Sequence, residues 1–161
     1  MNNLNNKQKR PNIVYVFSDE QQEMAWKGAN NEVYTPNLER LANSGKVFNN
    51  CISNTPICIP YRNILVTGHM VNNKNIIRNK TDPEYTSKFK TYPQVLKEAG
   101  YKTGYVGKLH LDDQHPAPEN RRYGYEWWCE SIKQRYVYDT MYWDREKQNW
   151  NKYDCYATHG Q

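Results

Sequence analysis

The chain has 161 residues with a formal net charge of +5 and 37% hydrophobic residues, a length that suits one domain rather than an array. Leu, Ile, Val and Phe make up about 17% of it, short of the ~20% of ordinary globular chains, while the charge is too small to make disorder the explanation. The composition therefore predicts a portion of a larger fold, its core supplemented by 14 Tyr and 5 Trp and completed by partners beyond Gln161.

The positive charges are scattered and form no stripe, which excludes a nucleic-acid surface; mild basicity suits an anionic substrate. Cysteines at 51, 58, 129 and 155 make no C-x-x-C pair and no regular framework, so neither a zinc site nor a disulfide scaffold is expected. Residues 1–10, MNNLNNKQKR, are polar and basic with no apolar h-region and read as a disordered tail. No later stretch approaches a membrane span, and the chain as given reads as cytoplasmic.

Ile13 to Phe17 is a continuous apolar, β-branched and aromatic run, the pattern of a strand buried on both faces of a parallel sheet. Asp19 and Glu20 follow at its carboxyl end, where open α/β sheets bind ligands, and two acids there suit a hard cation with oxygen ligands. Thr35 as N-cap, Pro36 at the first helical position and Gly45 as C-cap bound a short helix with Leu38, Leu41 and Ala42 on its apolar face. Lys46 to Cys51 reads as a second strand, with Cys51 as a small buried hydrophobe.

The chain is organised around Cys58 to Gly68, CIPYRNILVTG. A Cys at a helix N-terminus faces the positive end of the macrodipole, which favours an anion there. Arg62, four residues on, falls on the same face one turn later. Residues 67–90 are polar, with a turn at Asp82-Pro83. Thr91 and Gln94 have capping-box spacing before a helix whose buried face is expected to be Val95, Leu96 and Ala99 and which Gly100 ends. Tyr101 to Val106 reads as the next strand, a helix-then-strand order typical of βαβ units. Beyond it, in Gly107-Lys108-Leu109-His110, an extended backbone would set Lys108 and His110 on one side, a cation and an imidazole suited to oxyanion binding and proton delivery. Asp112, Asp113, His115 and His159 lack ligand spacing and read as solvated. The rings of Trp127, Trp128, Tyr136, Tyr138, Tyr142, Trp143, Trp150 and Tyr153 read as packing rather than as platforms for sugars.

Taken together, Cys58-x-Pro60-x-Arg62 with Thr67-Gly68, the acidic pair at Asp19-Glu20, the TPNLERLANSG wording from Thr35 and Gly107-Lys108-Leu109-His110 resemble, in order, the signature segments of the type I sulfatases of the alkaline-phosphatase superfamily. Tyr61 stands where that family's best-known motif has Ser, Leu109 where it has Trp, and Glu20 where a second Asp is usual. The resemblance implies an α/β/α sandwich with a mainly parallel sheet, of which residues 11–161 would be the N-terminal part. It implies that Cys58 is oxidised to formylglycine by a maturase reading residues 58–68, and that Asp19, Glu20 and the residue-58 group hold Ca2+ or Mg2+. Arg62 would hold the hydrated aldehyde and the metal-loop acids, Lys108 a sulfate oxygen, and His110 would orient the diol or take its proton. The substrate would be a sulfated small molecule or glycan. Further metal ligands, an Asp with Asn or Gln and another Lys and His, belong to family segments with no counterpart after Gly107, so the isolated chain is expected to have little or no activity. A phosphoester or phosphonate-ester hydrolase of the same superfamily, or a non-catalytic truncated product, is the alternative.

Overall fold

The computed structural model describes residues 10–19, 21–114, 116–132, 141–144 and 149–152. The chain divides into two compact units, one ending at Cys51 and one beginning at Ile52. Apart from Arg10, the expected tail lies outside the described residues, as do Glu20, His115, Tyr136, Tyr138, Tyr153 and His159. The side chains of Tyr142, Trp143 and Trp150 likewise fall outside the description.

The first unit holds a short 3-10 turn at Glu23–Ala25 and helix α1, Pro36–Ser44. Thr35 and Gly45 flank α1 as expected, with Pro36 in its first turn. The Thr35 hydroxyl, however, accepts the Lys27 N–H at 2.9 Å instead of capping the helix. Two expected strands do not form. Residues 13–17 belong to no ladder, and Val14 and Val16 are 83% and 85% exposed. Residues 46–51 are irregular, and Cys51 is exposed rather than buried. A β-branched run supplies propensity, but a strand exists through its cross-strand partners, and among the described residues neither segment has one. The Leu38–Leu41 face of α1, expected to be its apolar side, is exposed as well.

In the second unit, α2 runs Cys58–Thr67, with Pro60 in the first turn where its missing N–H costs nothing. Gly68 ends the helix in the left-handed region at φ +70°, its N–H bonded to the Ile64 carbonyl at 2.8 Å. The polar stretch that follows contains two single-turn helices, α3 (Lys74–Ile77) and α4 (Pro83–Thr86). Asn73 Oδ1 caps α3 through the Asn75 and Ile76 N–H groups, and Asp82 Oδ1 caps α4 through the Tyr85 N–H at 3.0 Å. That backbone hydrogen bond, more than any other influence, holds the Asp82 carboxyl below its ordinary range. Asn73 Nδ2 also donates to Asp82 Oδ2 at 2.9 Å, tying the two caps together.

Helix α5, Tyr92–Glu98, carries the expected capping box, Gln94 Oε1 accepting the Thr91 N–H at 2.8 Å. It ends in a Schellman arrangement, with Gly100 N–H on the Lys97 carbonyl and Tyr101 N–H on the Leu96 carbonyl. Of the expected face only Leu96 is half-buried, while Val95 and Ala99 are exposed; the fully buried residues are Thr91 and Pro93. The helix docks end-on, through the Thr91 hydroxyl on the Tyr123 carbonyl at 2.5 Å, so its first turn rather than its flank enters the core.

Strand β1, Gly104–Gly107, is shorter than the segment expected and pairs in parallel with β2, Trp127–Ile132, in the register Gly104↔Trp127 to Gly107↔Glu130. Strands β3 (Met141–Asp144) and β4 (Asn149–Lys152) continue the sheet in antiparallel order. Their connections are too short for a parallel crossover, whereas the segment between β1 and β2 is long enough to make one. The core gathers Val66, Leu109, Leu111, Ala117, Tyr123, Tyr125 and Trp128, with Tyr92 and Tyr105 against it. Aromatic rings do replace the scarce aliphatics: Tyr105 stacks on Trp128 at 5.2 Å, and the Tyr92 and Tyr125 hydroxyls meet at 2.6 Å. Among the described residues no helix is long and apolar enough to cross a membrane.

Candidate active site

Cys58 is the first residue of α2 and is half-buried. The helix is fixed from beneath by polar groups of its own motif. Buried Asn63 donates to the Ile59 carbonyl at 3.1 Å and accepts the Thr86 hydroxyl at 2.6 Å, while the Thr67 hydroxyl donates to the Asn63 carbonyl at 2.6 Å. Asn79, itself in the left-handed region at φ +60°, accepts the Ile59 N–H at 3.0 Å. That bond satisfies one of the first-turn donors that a helix leaves open.

The structure brings Lys108 to this helix end across fifty residues of sequence: its ammonium Nζ lies 3.6 Å from Cys58 Sγ. Arg62, one turn below Cys58 and 5% exposed, donates through Nη1 to the Lys108 carbonyl and approaches the Tyr105 hydroxyl at 3.4 Å. The Tyr105 hydroxyl donates to the same carbonyl. Burial pushes the Tyr105 phenol up to about 12, with the Arg62 guanidinium opposing, so the hydroxyl keeps its proton and its donor role at neutral pH. Arg62 thus has a partner that sequence reasoning did not assign to it.

His110 is half-buried, with Nδ1 buried, but not by the expected geometry. Gly107 has φ +111° and His110 φ +55°, so the backbone turns after β1 and the two-residue alternation of an extended segment does not apply. Leu109 and Leu111 are buried in the core instead, which anchors the segment between its polar residues. Asp112 is not solvated: its carboxylate is buried, bound to Arg121 at 2.9 Å and to the Gln114 N–H at 2.9 Å. Buried Glu130, opposite Gly107 in the β1–β2 register, accepts the Ala117 N–H at 2.8 Å. Tyr105, Asn63, Asp112 and Glu130 were not selected from the sequence, because a phenol in a strand, an amide in a helix and isolated acids carry no spacing signal.

Asp19 lies in the first unit and Glu20 outside the described residues. Among the described residues no group of three or more His, Cys, Asp or Glu side chains converges on a point that could hold a metal. A calcium ion takes about six to eight oxygens, so the described side chains do not by themselves fit one.

The chain is 33% identical to an ulvan-active sulfatase of Formosa agariphila, over 92% of this chain and 30% of that protein. It is 34% identical to an N-acetylglucosamine-6-O-sulfatase of Bacteroides thetaiotaomicron, over 64% of this chain and 18% of that protein. Among solved structures, it is similar to yidJ from Bacteroides fragilis, with a TM-score of 0.60 and 26% identity, over 74% of this chain and 31% of that one. The chain thus spans about a third or less of the length of these relatives, and its fold is that of the corresponding part of an alkaline-phosphatase-like α/β protein. Residues 11–158 match the sulfatase family model, and the chain belongs to the sulfatase family.

Proposed function

We propose that this chain carries the nucleophile-bearing part of a sulfuric ester hydrolase site, with Cys58 oxidised after synthesis to formylglycine by a maturase acting on residues 58–68. The observation that carries this reading is the Lys108 ammonium 3.6 Å from Cys58 Sγ at the head of a ten-residue helix. Placement at a helix N-terminus beside a fixed cation suits an oxyanionic ester. Once hydrated, the aldehyde supplies one hydroxyl as nucleophile and a second to release the product, which divides one difficult displacement into two.

The chain's own residues then act as follows. Lys108 holds a sulfate oxygen and offsets charge as the ester bond breaks. Arg62 fixes the Lys108 backbone and the head of α2. His110 orients the residue-58 group or takes its proton. Asp19 and Glu20 are this chain's contribution toward a Ca2+ or Mg2+ ion, and the described ligands are too few for a shell. The named substrates of the relatives, ulvan and N-acetylglucosamine-6-O-sulfate groups, support a sulfated glycan or small molecule as the ester.

The test is mass spectrometry of the Cys58 peptide after coexpression with a maturase. Conversion removes sulfur and two hydrogens and adds one oxygen; a thiol retained under conditions that convert a known sulfatase sinks the reading. Sulfate release from an aryl sulfate by the isolated converted chain is expected to be weak or absent, and robust turnover would show that the described ligands suffice.

A further inference from the structure

We infer that Tyr105 is a positioning residue for Lys108: with Arg62 it pins the Lys108 carbonyl and so aims the ammonium at residue 58. The inference rests on the reading of Lys108 as the sulfate-binding cation and deepens it.

Lys108 is a long side chain at the point where β1 ends, and such a chain samples many rotamers when nothing restrains it. Its backbone is the part the fold controls. The segment is turned by Gly107 at φ +111° and by His110 at φ +55°, the latter a conformation that L-residues hold only where their surroundings impose it. Leu109 and Leu111 anchor one side of the turn in the core. On the other side the Lys108 carbonyl receives the Arg62 Nη1 and the Tyr105 hydroxyl. Arg62 also approaches that hydroxyl at 3.4 Å, which closes a three-way arrangement in which each polar group restrains the other two. The Tyr105 ring stacks on Trp128, and Trp128 is 1% exposed. The hydroxyl is therefore carried on a rigid arm. Tyr105 acts through the Lys108 backbone.

The test uses the unconverted protein, in which Cys58 is a thiol, and o-phthalaldehyde, which joins an amine and a thiol in close contact into a fluorescent isoindole. The rate of the Cys58–Lys108 link is read by fluorescence and mapped by peptide mass spectrometry. The parent protein is expected to form the link and Lys108→Ala is not. Tyr105→Phe, which keeps the ring and its stack, is expected to slow the link about fivefold, the effect of losing one hydrogen bond. Tyr92→Phe loses a hydroxyl from the same aromatic core and is expected to leave the rate unchanged.

A 4-aminophenylalanine at position 105 restores an N–H donor and is expected to recover the rate, whereas 4-methylphenylalanine, with matched volume and no donor, is not. That pair decides the matter even where the Phe variant folds poorly. Equal rates for the amino and methyl variants overturn the positioning role while leaving the site reading intact. Absence of the link in the folded parent overturns the site reading and this inference with it.

Discussion

Replacing Thr86 by Val tests whether a buried polar link holds the Cys58 helix in place. Thr86 and Asn63 are 0% and 1% exposed, and the Thr86 hydroxyl donates to Asn63 Oδ1 at 2.6 Å and lies 3.2 Å from the Asp82 carbonyl. Val has the shape of Thr, so no cavity opens. What remains is the lost hydrogen bond and the desolvated Asn63 oxygen, together about 1–3 kcal/mol. With a urea slope of about 1–3 kcal/mol/M, the unfolding midpoint falls by roughly 1 M. The companion variant Asn63→Leu removes the acceptor, and the double variant leaves neither group stranded. It is expected to be more stable than the two single losses summed, by about 1 kcal/mol of coupling. Urea unfolding followed by Trp fluorescence measures all four proteins. A Thr86→Val midpoint within error of the parent, or losses that add to within about 0.3 kcal/mol, refutes the reasoning.

Gly124 has φ +100°, and a Cβ there would meet the Gln94 backbone nitrogen at 2.5 Å; strain and overlap together predict a loss of about 3 kcal/mol for Gly124→Ala, checked by thermal melting, and an unchanged melting point would contradict the docking of α5. Arg121→Met leaves the Asp112 carboxylate buried without its cation; because the Arg121 side chain is 31% exposed, the expected cost is about 2 kcal/mol rather than the ~3–5 of a fully buried pair. Adding Asp112→Asn should recover part of that loss, and no recovery would show that charge is not the cause. Burial pushes the phenols of Tyr105 and Tyr123 up to about 12, from 10.0. The folded state favours the protonated phenols, so this stabilisation is complete below about pH 10 and is lost as pH rises toward 12. Absorbance at 295 nm should show a late-ionising fraction that disappears on unfolding; a single wave near 10 in the folded protein excludes it.

What the sequence made legible was local. The Thr91–Gln94 box and the Gly100 terminator could be read because each satisfies backbone groups within one turn, and so could Cys58 at the head of α2. Asn73 and Asp82-Pro83 carried the same kind of signal in a stretch that looked featureless, and the structure shows both as helix caps. What could not be read was anything decided at a distance. Residues 13–17 have the composition of a doubly buried strand, yet a strand is defined by neighbours that a local pattern cannot supply. Asp112 looked like a surface acid because its cation, Arg121, is nine positions away and reaches it only through the turn that follows. The inward face of α5 was misjudged because periodicity assumes that a helix lies along the core, whereas this one enters it end-first.

The segment after β1 departs from the expected geometry and still brings the Lys108 ammonium to the head of α2. Alternation along an extended chain was the reason to place Lys108 and His110 on one side, and the positive φ of Gly107 and His110 removes that reason. The ammonium reaches Cys58 all the same. It does so because Leu109 is buried at 2% and Leu111 at 0%, fixing the turn by packing, while Arg62 and Tyr105 fix its carbonyl by hydrogen bonds. The exchange of the family's usual Trp for Leu109 therefore falls on a position that anchors the loop in the core and leaves the polar groups on either side of it in place. A strand end would have set only the direction of the Lys108 side chain; a turn held from both sides also sets where its backbone sits, and that is the quantity a charge aimed at one atom requires.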